Sequence, residues 1–401
     1  MGFFSKKAAP AATQTKATPK PAPIAITGYG VACHAGDKTR SLISSILGQM
    51  NGTELSDTYA IRLSDGSSDN ARVAPVAEFA HQQTQQRMIT LTAIALWNAA
   101  AKLSANVQAD TILIVIMLDP QLLNPGNEID LHRLQSYLLD GMRRIESATF
   151  RYLPNTAGSS TSALRTAIAD LNEGKWQAVI FGGGDSLVSM ETCLALYEQN
   201  RLNTVSTSTG LVPGEGAAFV VLQSTEAAKT NTTPTLGYLR GLGVAAEPHA
   251  RDADIEATVG LSSAIEQAIA QAGIAATDIQ GIVHNLGAET VHAIEWYQTN
   301  KKIWPRRVDE QQRMAVQLGE IDQADTPDDP IPKIILPYMT MGEVGAAALP
   351  MHLAAALSWM EYDAHQARWG FPVRKHLLVC DTPDTPERGA LIISTTLDAI
   401  T

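Results

Sequence analysis

Several residues of this 401-residue chain have the types and spacing for nucleophilic or metal chemistry. Ser159 and Ser160 precede a helix-like stretch at 162–171, and a hydroxyl at a helix start becomes a nucleophile when a base lies within hydrogen-bond reach. His284 is the base the sequence offers. The competing expectation, which we adopt, is that Ser159, Ser160 and Thr161 cap the helix by accepting backbone N–H bonds, as these residue types do by default. Glu289, His292 and Glu295 recur at i, i+3 and i+6, a spacing that places donors on one helical face and permits metal ligation. With no second histidine cluster nearby, a solvated face is expected instead, and no metal or cofactor is assigned. Cys33 and His34 are adjacent, and neighbours in sequence point apart, so Cys33 is expected to be a small apolar core residue. Gly182-Gly183-Gly184 suggests a phosphate loop, but no Lys-Ser/Thr follows it.

An alternation of strands and helices carries these residues. Strand-like runs fall at 24–27, 111–118, 178–181 and 217–222, the first followed by an expected turn at Gly28-Tyr29-Gly30. The run at 111–118 is apolar throughout, as a strand covered on both faces must be. Helical patterns fall at 87–103 and 162–171. The rhythm repeats with strands at 236–244, 279–283, 377–380 and 390–394, helices at 261–272 and 344–361, and a Pro/Asp loop at 322–332. This alternation predicts an α/β architecture.

The composition limits the partners. The chain is 45% hydrophobic, 18% charged and carries a net charge of −11, which argues against nucleic acid as the main partner because phosphate binding needs clustered positive charge. No uncharged apolar run reaches about 18 residues, so no membrane span is expected. Three scattered cysteines suit a reducing, cytoplasmic compartment. Residues 1–22 are rich in Ala, Pro, Thr and Lys, and are expected to form a flexible tail. The body then divides into halves at 23–230 and 231–401.

Four stretches occur in a telling order: Ile26-Thr27-Gly28-Tyr29-Gly30, Thr156-Ala157-Gly158-Ser159-Ser160, residues 178–185 (AVIFGGGD), and Gly214-Glu215-Gly216-Ala217. Together they resemble the β-ketoacyl-ACP synthases of the thiolase-like superfamily, and Gly345-Ala346-Ala347 resembles that family's GAAG stretch. The resemblance implies two pseudo-duplicated α/β halves in a layered α-β-α-β-α body. It also implies a nucleophilic cysteine at a helix N-terminus, where the helix dipole stabilises the thiolate, and two histidines that stabilise developing charge. Carried over residue by residue, the nucleophile falls on Gly158, the first histidine on Asn285 and the second on Gly342. None of the three can do the family's chemistry. Gly182–Gly184 would let a strand end pack beneath the nucleophile turn, and Glu215 would hold a neighbouring loop.

The expectation is therefore a non-catalytic, dimeric scaffold or adaptor, as a homodimer or as a heterodimer with a ketosynthase-like paralogue. Its implied settings are partnership with an active ketosynthase and an acyl carrier protein, or adaptation of a type VI secretion effector. The alternative is an acyltransferase or thioester hydrolase using Ser159 with His284.

Overall fold

A strand that is apolar on both faces needs a layer on each, and that requirement organises this molecule. In the computed structural model, which describes residues 22–120, 131–155, 160–248, 258–306, 308–323 and 332–397, the first half runs β1 (Ile24–Cys33), α1 (Thr39–Leu47), β2 (Glu54–Arg62), β3 (Ser68–Val73), α2 (Thr84–Ala100), β4 (Ile112–Leu118), α3 (Leu131–Leu139), β5 (Thr149–Pro154), α4 (Ser160–Asn172), β6 (Ala178–Ser186), α5 (Met190–Glu198), β7 (Glu215–Ser224) and α6 (Thr225–Thr230). The second runs β8 (Gly237–Ala246), α7 (Gly260–Ala272), β9 (Gly281–Val283), α8 (Thr290–Ile303), α9 (Glu310–Gln317), β10 (Lys333–Ile335), α10 (Tyr338–Met341), α11 (Ala348–Gln366), β11 (His376–Asp381) and β12 (Glu387–Ser394). The expected Pro/Asp loop lies largely outside the described residues, as do residues 1–21.

The duplication is explicit in the strand order, β10-β9-β11-β12-β8-β1-β7-β6-β4-β5. With β2 and β3 set apart as a two-stranded sheet, each half, read inward from its edge, places in turn the third, second, fourth, fifth and first of its five strands in this sheet. The pairing senses match as well. β4 is parallel to β5 and β6, as β9 is to β10 and β11, while β7 runs antiparallel to β6 and β1, as β12 does to β11 and β8. The halves join where Ile24–Ile26 pairs antiparallel with Gly237–Leu239.

Side-chain alternation builds the layers. Leu113, Val115 and Met117 of β4 enter a central core with Leu164 of α4, Leu353 of α11, and Leu377 and Val379 of β11. Ile112, Ile114 and Ile116 face the other way, onto Leu91 and Leu96 of α2. In the second half, Leu378, Cys380 and Ile392 pack outward on Leu261 and Ile265 of α7. Helices α4 and α11 are thus the middle layer, with α2 and α7 outside, and the expected α-β-α-β-α body is present. That middle position explains why residues 349–360 of α11 are buried on every side. No helix among the described residues is long and apolar enough to cross a membrane.

Two sequence expectations change. No turn forms at Gly28–Gly30, because β1 continues through them with a register shift between Ile26 and Gly28. Glycine is needed there for proximity: a Cβ on Gly30 would lie 2.2 Å from the Ala95 carbonyl of α2. The expected helix at 344–361 instead opens with a tight 3₁₀ turn, Gly345–Ala347, before α11.

Candidate functional site

The carboxyl ends of parallel strands are where open α/β sheets gather functional groups, and here they converge from both halves. A cavity of about 270 Å³ is lined by Asn155 after β5, Ser160 at the start of α4, Asn285 after β9, Asp381 at the end of β11, and Glu343 ahead of the Gly345–Ala347 turn. Gly158 and Ser159 lie outside the described residues.

Glu343 was not anticipated. Counting back from Gly345-Ala346-Ala347 selects Gly342, which has no side chain and a left-handed φ of 67°. The neighbouring Glu343 carboxylate accepts from Asn285 Nδ2 at 2.9 Å and from the Gly345 N–H at 3.0 Å. In the sequence Glu343 is an acid between Gly342 and the Gly-Ala-Ala stretch, one place beyond the position the family pattern selects. Asn285 and Glu343 are thus a hydrogen-bonded pair, one residue from each of two separate connections.

Burial dominates the acidity of this region. It pushes Glu343 up to about 7, against the two donors, with the charges of Asp384 and Asp185 pushing the same way. Asp185 is likewise raised to about 7 by burial, although the Ala346 and Ser186 N–H groups donate to it at 3.0 and 2.8 Å. Asp381 is raised to about 6 by burial, against the hydrogen bond from Thr161 Oγ1 at 2.7 Å. The folded protein holds these carboxyls protonated to a higher pH than the unfolded chain, whose values lie near 4. Their contribution to stability is complete below that value and is lost as pH rises through about 7. Glu343→Gln mimics the protonated form. Relative to the parent protein it is expected to gain on the order of 2 kcal/mol between pH 5 and pH 8, read by urea unfolding at both. Parallel pH profiles for the two proteins would show that Glu343 ionises freely.

The other candidate residues separate. His284 does not line the cavity; it is buried beside Trp296, edge-on with ring centroids 4.7 Å apart, and neither ring nitrogen has a hydrogen-bond partner among the described residues. Burial lowers its pKa to about 3, so it is a neutral core imidazole. Asn285, the next residue, faces the cavity instead, as alternation along an extended segment requires. The capping expectation is corrected for Ser160 and Thr161, while Ser159 lies outside the described residues. Ser160 Oγ donates to Asn155 Oδ1 at 2.9 Å and Thr161 donates to Asp381, while the acceptor for a helix N–H is the Glu387 carboxylate, 3.3 Å from Ser162 N. Asn155 from the first half and Asp381 from the second make the Ser160 and Thr161 hydroxyls donors.

Glu289, His292 and Glu295 are buried, contrary to the expected solvated face. They also split. Glu295 accepts from Arg388 Nε at 2.7 Å, whereas donor atoms of Glu289, His292 and Asp384 lie within 4.8 Å of one another. The cation in this second group is Arg201, which donates to Glu289 at 2.8 and 2.9 Å and to Asp384 at 2.9 Å. Burial opposes the charge on Arg201, but these carboxylates outweigh it and push its pKa up.

Other expectations are met. Cys33 is buried, with its thiol pushed up to about 11 by burial, while His34 turns out to the Pro75 carbonyl at 2.9 Å. Glu215 holds its neighbours, accepting from Val76 N at 2.7 Å, Ser186 Oγ at 2.6 Å and Arg87 Nε at 2.9 Å. Gly183 does permit close packing, but against the Ala346 carbonyl, 2.5 Å from where its Cβ would stand.

With the fold and cavity defined, comparison with known proteins gives a consistent class. Residues 151–228 match the family model for the β-ketoacyl synthase N-terminal domain. Two solved structures share the fold. One is described as the ishigamide ketosynthase/chain length factor, with 15% identity, 94% of this chain and 100% of that chain covered, and a TM-score of 0.67. The other comes from AntDE:AntF, a type II PKS acyl-carrier protein in complex with its ketosynthase bound to the hexaketide, with 14% identity, the same coverage and a TM-score of 0.68. No curated protein matches the sequence. The chain thus carries a segment that matches the β-ketoacyl synthase N-terminal domain, and it shares its fold with these ketosynthase structures.

Proposed function

We propose that this protein is a non-condensing ketosynthase-like subunit that acts by pairing, as the partner or scaffold of a second ketosynthase-like chain. The observation that carries this reading is the Asn285–Glu343 pair in the cavity. Two imidazoles would aim N–H donors at developing charge, whereas here the Asn285 amide is engaged by the buried Glu343 carboxyl. No cysteine is among the residues that line the cavity, and Cys33, Cys193 and Cys380 are all buried with raised pKa values. Gly158 supplies no nucleophile. The fold shared with a protein described as a ketosynthase/chain length factor supports the paired setting.

The test is native purification with mass spectrometry of what accompanies the chain. A stoichiometric ketosynthase-like partner is the expected result, with or without an acyl carrier protein. Recovery of the homodimer alone would count against the heterodimer, and recovery of a secretion effector would make the chain an adaptor. The acyl-transfer alternative predicts a covalent adduct on Ser159. We expect none by intact mass after incubation with acyl-CoA and acyl-ACP donors, since His284, the base it would need, is locked against Trp296.

A further inference from the structure

The cavity that holds Asn285 and Glu343 has a polar wall whose donors are engaged by the protein itself. Asn285 Nδ2 and the Gly345 N–H donate to Glu343 at 2.9 and 3.0 Å. The Ala346 N–H donates to Asp185 at 3.0 Å, and the Ser160 hydroxyl to Asn155 at 2.9 Å. Two amides of the Gly345–Ala347 turn, which could otherwise receive an anion, thus end on carboxyls. Among the described residues that line the cavity, His292 is the one basic side chain, with no lysine or arginine.

Acceptors remain. An ionised carboxyl offers about four lone-pair positions. Among the described residues Glu343 receives two donors, and Asp381 receives one, from Thr161 at 2.7 Å; all three donors are neutral. Asp384 already holds Arg201, whereas Arg388 acts on Asp381 through its charge without bonding to it. Thr382 points the same way. It is on the cavity wall, 3% exposed, and its hydroxyl has no hydrogen-bond partner among the described residues. Leaving a buried hydroxyl unpaired is unfavourable, and a ligand that brings N–H groups removes that cost.

We propose that this cavity binds a small primary aliphatic amine as its ammonium ion, with Glu343 and Thr382 receiving the N–H donors and Leu187, Leu196 and Leu211 enclosing the short chain. An ammonium carries three donors and no acceptor, which matches the wall, whereas a carboxylate or a thioester carbonyl brings only acceptors. The volume of about 270 Å³ lies at the small end for ligand sites and suits a chain of a few carbons. Burial raises Glu343 to about 7. An ammonium beside it takes the place of its proton, so the charge that enters the cavity is balanced where it lands. The assignment uses the same cavity as the pairing function but does not rest on it: a chain that pairs without binding amines, or binds amines without pairing, separates the two.

Calorimetry and thermal melting of the full chain at pH 8 with butylamine, butyrate and butanol, three probes of one chain length, test the assignment. Butylamine is expected to bind and raise Tm, and the other two to bind at least about tenfold more weakly. Glu343→Gln is expected to weaken butylamine binding about tenfold or more, and Thr382→Val about fivefold. Glu343→Gln should also keep or raise the ligand-free Tm, which separates lost binding from lost folding. Glu310→Gln, on the exposed α9, should leave binding unchanged and so reports any attraction by surface charge. The proposal fails if butylamine does not bind, if butyrate or butanol binds as tightly, or if Glu343→Gln or Thr382→Val binds butylamine as well as the parent.

Discussion

Arg388→Met is expected to destabilise the protein by about 3–5 kcal/mol, the cost of leaving a buried carboxylate without its partner. Arg388 is wholly inaccessible. Its Nε donates to Glu295 at 2.7 Å, and its Nη1 reaches the carbonyls of Pro383 at 3.0 Å, Thr385 at 2.5 Å and Glu387 at 3.0 Å. One guanidinium therefore fixes α8 and the 383–385 segment that lines the cavity. Adding Glu295→Leu to Arg388→Met removes the stranded charge, and part of the loss should return. Denaturant unfolding of both variants reads the effect. A single variant within about 1 kcal/mol of the parent would show that the pair is not structural.

Glu215→Leu is the second large effect, again about 3–5 kcal/mol. Its carboxylate is buried at the start of β7, as Arg388 is near the start of the equivalent strand β12. Without it, the Arg87 guanidinium, the Val76 N–H and the Ser186 hydroxyl lose their acceptor inside the protein. Arg87 also donates to the Val188 carbonyl, so the 186–188 segment, with Leu187 on the cavity wall, should exchange its amides faster. Glu215→Gln keeps one acceptor and is expected to cost about 1–3 kcal/mol. Unchanged exchange at 186–188 in Glu215→Leu would mean that this segment is held from elsewhere.

The cavity is thus framed by arginine–carboxylate clamps: Arg87–Glu215, Arg388–Glu295, and Arg201 across Glu289 and Asp384. In the sequence these partners are 128, 93 and 88 residues apart, with Asp384 183 from Arg201. No local pattern announces such pairs. Glu215 was legible because it sits in a motif; Arg87, Arg201 and Arg388 were not, because a lone arginine in sequence is indistinguishable from a solvated one.

Local pattern by itself determined a good deal. The run at 111–118 required two covering layers, the glycine-punctuated stretches at 182–184 and 214–216 required close backbone approach, and the absence of a cysteine at Gly158 needed no coordinates. These features depend on near neighbours, on side-chain periodicity, or on a residue simply being present. Tertiary structure alone decided the rest. It turned Asn285 rather than His284 to the cavity, brought Glu343 to Asn285, and buried the Glu289, His292 and Glu295 face that spacing had assigned to solvent. The physical reason is common to all three. Facing, pairing and burial are set by which distant strand or helix arrives alongside, and here the duplicated halves supply opposite sides of the same cavity.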